Sequence, residues 1–412
     1  MDELEQAIED CTNQDNKLIF TGHRGCGKST LLAELSFRLV ETQRYFVVMF
    51  SISDTVDESA VDHVNILFSM AIQLLEAAEQ RNVKLKPGIK NELYRWLGKH
   101  TKTESDSAEA TIEVNTEAGA KGGIPGFLEF LAKIKSILKV NSVIREEITI
   151  EFARKISDLI AQINLIQSAI ENATGQEVLV IIDDLDKLSL SDAETIFTKN
   201  IQPLLAPSFR VVYTIPVAIL REVSMKRNVE AYVKKIHTMR VGKFFTKAMV
   251  RSSDRIPDPE MLSFFDQVLE KRFPKSLIDP VIQQEMILKS GGVLRELIRI
   301  ADSCCDLCMQ QIRRQSRLEK FDQPFVKIDQ AVLTSVLSDL QISYAQPLGQ
   351  SDFDTLIGIY QEFRPKDTEN QRFRDLLHGL YVLEYRDSAV QWYDLNPIVK
   401  DLLIQEGLLD DG

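Results

Sequence analysis

The stretch KLIFTGHRGCGKST, residues 17–30, decides the fold. It reads as a short apolar strand, a glycine-rich loop and the first turn of a helix. Gly22, Gly27, Lys28 and Ser29 match the pattern G-x-x-x-x-G-K-[ST]. Glycines let such a loop turn its backbone N–H groups inward, and the N-terminus of the following helix adds a partial positive charge. The stretch therefore predicts a loop that cradles phosphate.

The residue types in this loop fit a nucleotide bound with Mg²⁺. The Lys28 ammonium would place a point charge on the β- and γ-phosphates, and the Ser29 hydroxyl would ligate the metal. The apolar strand before the loop and the leucine-periodic helix after it supply the context that the motif requires. The sequence therefore predicts a P-loop NTPase. Its predicted nucleotide-binding residues are Gly22, Gly25, Cys26, Gly27, Lys28, Ser29 and Thr30.

Composition limits the class of protein. A chain of 412 residues with 44% hydrophobic and 27% charged residues, and a mean hydropathy of −0.11, is typical of a soluble globular protein of about three domains. The net charge of −12 argues against a protein that mainly coats nucleic acid or anionic membrane. The acidic start MDELEQ is not a signal peptide, and no apolar run approaches about 18 residues. Because the five cysteines are odd in number and form no disulfide framework, we expect a cytoplasmic location.

A second segment, EVLVIIDDLDKL at residues 177–188, ends an apolar run in two aspartates. Such a run predicts a strand of a parallel sheet that is buried on both faces and whose final carboxylates emerge at the nucleotide edge. Asp183 is the predicted Mg²⁺ ligand beside Ser29, and Asp184 is predicted to orient or deprotonate the attacking water. The alternative is a buried strand that ends in an acidic turn, and the P-loop weighs against it.

Apolar periodicity predicts the other elements of the first 245 residues. One long helix is expected over residues 144–172, and an amphipathic helix over residues 127–140 is expected to pack on its own domain, with membrane or partner docking as the alternative. Thr214 lies near the end of a predicted strand. Residues 101–126, rich in Ser, Glu, Thr, Gly and Ala, predict an exposed or partly disordered insertion. The further strands are expected at residues 45–52, 209–217 and 237–241.

The remaining chain predicts two smaller parts. Residues 257–318 have a wholly helical pattern, and Arg295 lies in the first turn of the helix that follows Ser290-Gly291-Gly292. Residues 321–412 read as three helices and a hairpin, which is the order of a winged helix. This last part has 7 Lys and Arg against 16 Asp and Glu, so it carries −9 of the net −12. Because DNA binding needs clustered basic residues, this charge disfavours DNA reading and favours a protein-docking or regulatory role.

Four segments together resemble a known family: GHRGCGKST, VLVIIDDLDKL, VVYTIP and SGGVLRELIRIA look like Walker A, Walker B, sensor 1 and sensor 2 of the AAA+/STAND ATPases. The order is most similar to the origin-recognition-like branch, and the DDLD run is also similar to the KAP-type ATPases of bacteria. The resemblance implies an α/β fold with a P-loop NTPase core and parallel sheet, a helical lid and a C-terminal winged-helix domain. The implied domains are residues 1–245 with an insertion at about 101–150, residues 246–320 and residues 321–412.

The resemblance also implies roles for single residues. Thr214 would be sensor 1, and Arg295 would contact the γ-phosphate from the lid. An arginine finger from a neighbouring subunit is expected, with Arg221 and Arg227 as candidates. Many AAA+ enzymes have Glu where this chain has Asp184, and the shorter side chain predicts slow or partner-stimulated hydrolysis.

Three functions remain open at this point. The first is an ATP-driven switch or motor that forms a homo-oligomer or binds an effector protein, which the resemblance links to bacterial defence against phage. The second is a replication- or transposition-type ATPase whose winged helix contacts DNA. The third is an adaptor that holds ATP without hydrolysing it. ATP is favoured over GTP because the chain has no N/T-K-x-D guanine-reading motif.

Overall fold

The computed structural model describes residues 1–12, 15–101, 126–233, 235–317, 327–388 and 390–410. Most of the predicted insertion, residues 102–125, lies outside these ranges. The chain divides into two compact units, which differ from the three predicted domains in that the P-loop belongs to the second unit. The first unit comprises Met1–Thr21, Ser29–Ile219 and Val223–His237, and the second comprises Gly22–Lys28, Leu220–Glu222 and Thr238–Gly412.

A five-stranded sheet in the order β2-β3-β4-β1-β5 forms the centre of the α/β fold. Strands β2, β3 and β4 are parallel, and Ser51 at the end of β2 lies opposite Asp183 at the end of β3. The apolar residues of β3 are buried, as expected for a parallel strand covered on both faces. The strands are β1 (Lys17–Gly22), β2 (Tyr45–Ser51), β3 (Glu177–Asp183), β4 (Arg210–Pro216) and β5 (Ile236–Met239).

Ten α-helices accompany this sheet within the described residues up to Tyr232. The α3 helix is buried along most of its length and packs against α5, α6 and α7. The helices are α1 (Asp2–Glu9), α2 (Lys28–Glu41), α3 (His63–Gln80), α4 (Pro87–Thr101), α5 (Phe127–Val140), α6 (Ser142–Arg154), α7 (Ile156–Thr174), α8 (Leu190–Glu194), α9 (Ile201–Leu205) and α10 (Val223–Tyr232).

Two sequence-based expectations for these helices can be compared directly with the structure. The amphipathic helix over residues 127–140 is confirmed as α5, which packs on α3 and joins it through Lys135 and Glu76 at 2.8 Å. The single helix expected over residues 144–172 is wrong. The chain leaves helical geometry at Lys155 (φ −126°, ψ 39°), so α6 ends and α7 begins there. Periodicity missed this break because apolar residues continue at helical spacing on both sides of it.

Where the structure describes the second unit, it contains seven further α-helices and a hairpin. Three helices and a hairpin follow residue 327 as expected from the sequence, and a last helix, α17, was not predicted. The elements are α11 (Pro259–Glu270), α12 (Pro280–Lys289), α13 (Leu294–Arg317), α14 (Gln330–Ala345), α15 (Gln350–Glu362), α16 (Gln371–His378), β6 (Val382–Asp387), β7 (Val390–Leu395) and α17 (Pro397–Gln405). The strands β6 and β7 are antiparallel.

Candidate functional site

Three carboxylates converge where β3 ends. One oxygen from each of Asp183, Asp184 and Asp186 lies within 4.8 Å of the others, which is close enough for them to share a metal ion. Burial raises the pKa of Asp183, although the nearby Ser29 hydroxyl acts in the opposite direction. A divalent cation bound here would relieve the cost of keeping this buried carboxylate charged.

The oxygen donors of this aspartate cluster suit Mg²⁺, a hard cation that prefers carboxylate and hydroxyl oxygens. The two predicted metal ligands, Ser29 and Asp183, both belong to the first unit, and Ser29 is near enough to lower the pKa of Asp183. The sequence analysis did not include Asp186, which is also buried. Its signal was the repeated acid in the DDLD run, whose third carboxylate the tight turn after β3 brings back to the other two.

Asp184, the predicted catalytic base, is held by two neighbours. Its backbone has a left-handed conformation (φ 68°), and its carboxylate accepts a hydrogen bond from Ser51 Oγ at 2.7 Å. Lys187 forms an ion pair with the same carboxylate at 2.6 Å. Sequence analysis missed Ser51 because its signal is only the register of two parallel strands. Each carboxylate oxygen of Asp184 therefore has a partner already, and an attacking water would use the lone pairs that remain.

Thr214, the predicted sensor, is fully buried near the end of β4. Its hydroxyl donates to the Ile182 carbonyl at 3.2 Å and accepts from the Leu185 backbone N–H at 3.1 Å. These bonds span the turn that carries Asp183 and Asp184. Thr214 therefore stabilises the aspartate turn through hydrogen bonds to main-chain atoms.

The glycine loop, residues Gly22–Lys28, belongs to the second unit. Lys28 Nζ donates to the carbonyl oxygens of Gly22 at 3.0 Å and His23 at 2.7 Å. Gly25 has φ +77°, and a Cβ placed on it would lie 2.4 Å from the Arg295 Cβ, so this position requires glycine. The Lys28 ammonium thus binds oxygens of its own loop where phosphate oxygens are expected in a nucleotide complex.

His23 in this loop is buried and contacts the C-terminal hairpin. Its Nε2 accepts a hydrogen bond from the Glu384 backbone N–H at 2.9 Å. The ring is therefore neutral with its proton on Nδ1, and this buried atom has no partner among the described residues. Burial, then the charges of Lys28 and Arg221, lower the pKa of His23 to about 3. The loop thus offers an unused buried N–H donor, which fits an anionic ligand.

Two further contacts complete the surroundings of the loop, one made by Arg295 and one by the side chain of Cys26. Arg295, exposed in the first turn of α13, donates its backbone N–H to the Gly25 carbonyl at 3.0 Å. The Cys26 side chain is buried in one apolar cluster with residues of the lid and the hairpin. The other buried members of this cluster are Val241, Val293, Leu380, Leu383, Tyr385 and Trp392.

The structure separates the two candidates for an arginine finger. The side chain of Arg221 is only 11% exposed and forms an ion pair with Glu384, with Nε 2.6 Å from Oε2. Arg221 is therefore held within its own chain in this conformation. The other candidate, Arg227 on α10, is exposed.

Known families and structures were compared with this chain. The model of the KAP family P-loop domain matches residues 1–206. The chain is similar over 98% of its length to 94% of Cdc6p from Pyrobaculum aerophilum (10% identity, TM-score 0.36) and over 99% to 91% of the Aeropyrum pernix Orc1 protein in complex with DNA (11%, 0.37). No curated protein sequence matches it. Among the described residues, no helix has the length and apolar character needed to cross a membrane.

Proposed function

This chain belongs to the KAP family of P-loop NTPases, and we propose that it is an ATP-binding and ATP-hydrolysing switch that assembles with protein partners. The observation that carries the proposal is the convergence of the Asp183, Asp184 and Asp186 carboxylates at the end of β3. The Ser29 hydroxyl, from the residue after the P-loop lysine, lies close enough to lower the pKa of Asp183. This arrangement supports a shared Mg²⁺ site, which hydrolysis of a nucleoside triphosphate requires.

Each residue of the proposed mechanism has a defined task. Ser29 and Asp183 would hold Mg²⁺, with Asp186 within reach, and the ion would neutralise charge on the phosphate oxygens. Lys28 would exchange its carbonyl partners for the β- and γ-phosphates, and Arg295 would contact the γ-phosphate from the lid. Thr214 would keep the aspartate turn in place. Asp184 would orient the attacking water and accept its proton, and its contacts with Ser51 and Lys187 support slow turnover.

The contacts of the loop support the switch. Residues 22–28 share hydrogen bonds and an apolar cluster with the lid and the hairpin, including the bond from the Glu384 N–H to His23. A phosphate group that draws Lys28 away from the Gly22 and His23 carbonyls would alter the same loop that the hairpin contacts. Nucleotide state would then be transmitted to the C-terminal segment, for which we propose a winged-helix identity and a protein-docking role.

The proposal extends to partners and context. A homo-oligomer or an effector protein is the proposed partner, and exposed Arg227 is the residue that would act on the neighbouring subunit. A cytoplasmic role in bacterial defence against phage rests on the family resemblance alone. DNA binding through the C-terminal segment is disfavoured by its 16 acidic against 7 basic residues.

A second candidate is an adaptor that holds ATP without hydrolysing it. The contacts of the Asp184 carboxylate with Ser51 and Lys187 favour this function. Phosphate release and ATP binding separate the two functions. The switch requires hydrolysis that Lys28→Ala and Asp184→Asn both abolish, with ATP binding retained in Asp184→Asn. Binding without hydrolysis in the native chain would favour the adaptor. Hydrolysis that persists in Lys28→Ala would contradict both functions. Stimulation of ATP hydrolysis by duplex DNA at physiological salt would favour the DNA-dependent ATPase instead.

A further inference from the structure

A cavity of about 300 Å³ lies within the second unit, and residues 22–30 of the P-loop are not among those that line it. It is lined by the segment that follows β5, by α12, by the hairpin and by α17. Its aromatic wall comprises Phe244, Phe245, Tyr385 and Trp392. A second, more open cleft of about 520 Å³ shares Arg251, Arg255 and Lys400 with it. Three cationic side chains therefore lie where the two spaces meet.

Five cations line the cavity, against the three carboxylates of Glu285, Asp394 and Asp401. Three of the five pair with a carboxylate each: Lys243 with Asp387, Arg251 with Asp394 and Lys289 with Asp401. The other two, Arg255 and Lys400, have no carboxylate at ion-pair distance within the described part of the chain. Four of these cations come from residues 243–289, and Lys400 comes from the acidic segment 321–412.

The neighbours of Arg255 and Lys400 use only some of the hydrogen-bond donors of these two side chains. Arg255 Nη1 donates to the Val250 carbonyl at 3.0 Å, and its guanidinium lies 5.2 Å from the centre of the Phe245 ring. Lys400 Nζ lies 5.6 Å from the centre of the Tyr360 ring. Burial, together with the charges of Arg251 and Arg255, lowers the pKa of Lys400, although Asp394 and Asp401 act in the opposite direction. Like charges held together in a partly buried site are costly, and a bound anion removes that cost.

We propose that this cavity binds a small organic phosphate with a flat unsaturated body, such as a nucleoside monophosphate. Arg255 and Lys400 bind the phosphate at the junction of the two spaces, since a guanidinium and an ammonium form charge-assisted hydrogen bonds with phosphate oxygens. The aromatic wall takes the flat body. A volume of about 300 Å³ is at the lower end of the range for small-molecule sites, which favours a ligand of this size over a polymer.

Pyridoxal 5′-phosphate is a suitable probe because it combines a phosphate, an aromatic ring and an aldehyde. Because the pKa of Lys400 is lowered, a larger fraction of its amine is neutral than in an exposed lysine. This fraction condenses with the aldehyde to give an imine and water, and borohydride then reduces the imine to a stable secondary amine. Peptide mass spectrometry of the full-length chain distinguishes this product from labelling at Lys28. We expect Lys400 to be labelled about tenfold faster than exposed Lys271, and pyrophosphate to compete with the labelling.

Arg255→Gln tests the phosphate contact, and Arg272→Gln on the exposed turn after α11 is the matched control. Loss of one charge-assisted hydrogen bond should slow Lys400 labelling about tenfold in the first variant and leave it unchanged in the second. Equal labelling of Lys400 and Lys271 would overturn the proposal. Labelling of Lys400 that neither pyrophosphate nor Arg255→Gln affects would also overturn it. Because the readout is the Lys400 peptide, the result is independent of nucleotide binding at the P-loop.

Discussion

The carboxyl end of β3 and the glycine loop are the regions that the sequence analysis predicts to bind Mg²⁺ and phosphate, and they are held in different ways. Close to Asp183, the contacts come from the same turn and from the ends of adjoining strands, as with Lys187 and Ser51. The glycine loop is instead held by distant residues, and the partner of His23 lies 361 positions further along the chain. This difference indicates that the aspartate end is fixed by the sheet, whereas the loop depends on the conformation of the second unit.

The largest expected effect concerns the aspartate end. Asp183→Asn should lower ATP hydrolysis by about 10³-fold, because it removes the charge that would hold Mg²⁺. The pKa of Asp183 is raised by burial, so the ionised form costs stability at neutral pH. The variant should therefore unfold at the same or a higher denaturant concentration without Mg²⁺, and the stabilisation by Mg²⁺ should disappear.

Asp306→Asn, which removes an exposed carboxylate on α13, is the control for net charge. It should change neither hydrolysis nor the response to Mg²⁺. If Asp183→Asn kept its stabilisation by Mg²⁺, the aspartate cluster would not be the metal site. The measurements are phosphate release and urea unfolding with and without Mg²⁺.

The second effect concerns the contact between the hairpin and Arg221. Glu384 is 4% exposed at its side chain, and Glu384→Gln leaves the Arg221 guanidinium buried without a counter-charge. Removing one partner of a buried ion pair costs about 3 kcal/mol. Urea unfolding should show this loss. The control is Arg372→Gln, whose side chain is 51% exposed in its pair with Asp352, and which should cost at most about 0.5 kcal/mol.

If both variants lost the same stability, the contrast between a buried hairpin contact and a surface pair would fail. The more informative outcome concerns ATP binding. Because Glu384 belongs to the hairpin that contacts the loop, loosening it should make the loop easier to open. We therefore expect Glu384→Gln to bind ATP more tightly despite its lower stability.

A third, smaller effect tests the glycine loop itself. Gly25→Ala should destabilise the protein by about 2 kcal/mol, because the new methyl group would meet the Arg295 Cβ and the backbone has φ +77°. Gly88→Ala on α4 is the control, since no atom lies within 4 Å of its Cβ position. It should leave stability unchanged or raise it by up to about 1 kcal/mol. Equal effects in urea unfolding would show that the loop does not contact the lid in solution.

The contrast between local contacts at the end of β3 and distant contacts at the glycine loop explains which features could be predicted from the sequence. The P-loop, β3 and its aspartates were predicted because local spacing and an apolar run define them. The hydrogen bond between Ser51 and Asp184 was not predicted, because only the pairing of β2 with β3 brings Ser51 next to Asp184. The bond between His23 and Glu384 depends on the packing of two distant segments, and no local pattern encodes it. The ion pair of Arg221 could not be predicted for the same reason, because its partner Glu384 lies on the hairpin.

The smallest effect is a pH dependence of stability that arises from His23. Its pKa is about 3 in the folded protein against an ordinary value of 6.5, because the ring is buried close to the charges of Lys28 and Arg221. Between these two values the unfolded chain binds the proton and the folded chain does not. The contribution of His23 is therefore complete above pH 6.5 and is lost as the pH falls. Between pH 7 and pH 5.5 the expected loss is about 1 kcal/mol.

His23→Gln keeps an acceptor for the Glu384 N–H without a titrating group, so its urea unfolding should depend less on pH over this interval. An unchanged slope would mean that the hairpin does not bury His23 in solution, and the proposed link between the hairpin and the loop would then fail while the aspartate site remained.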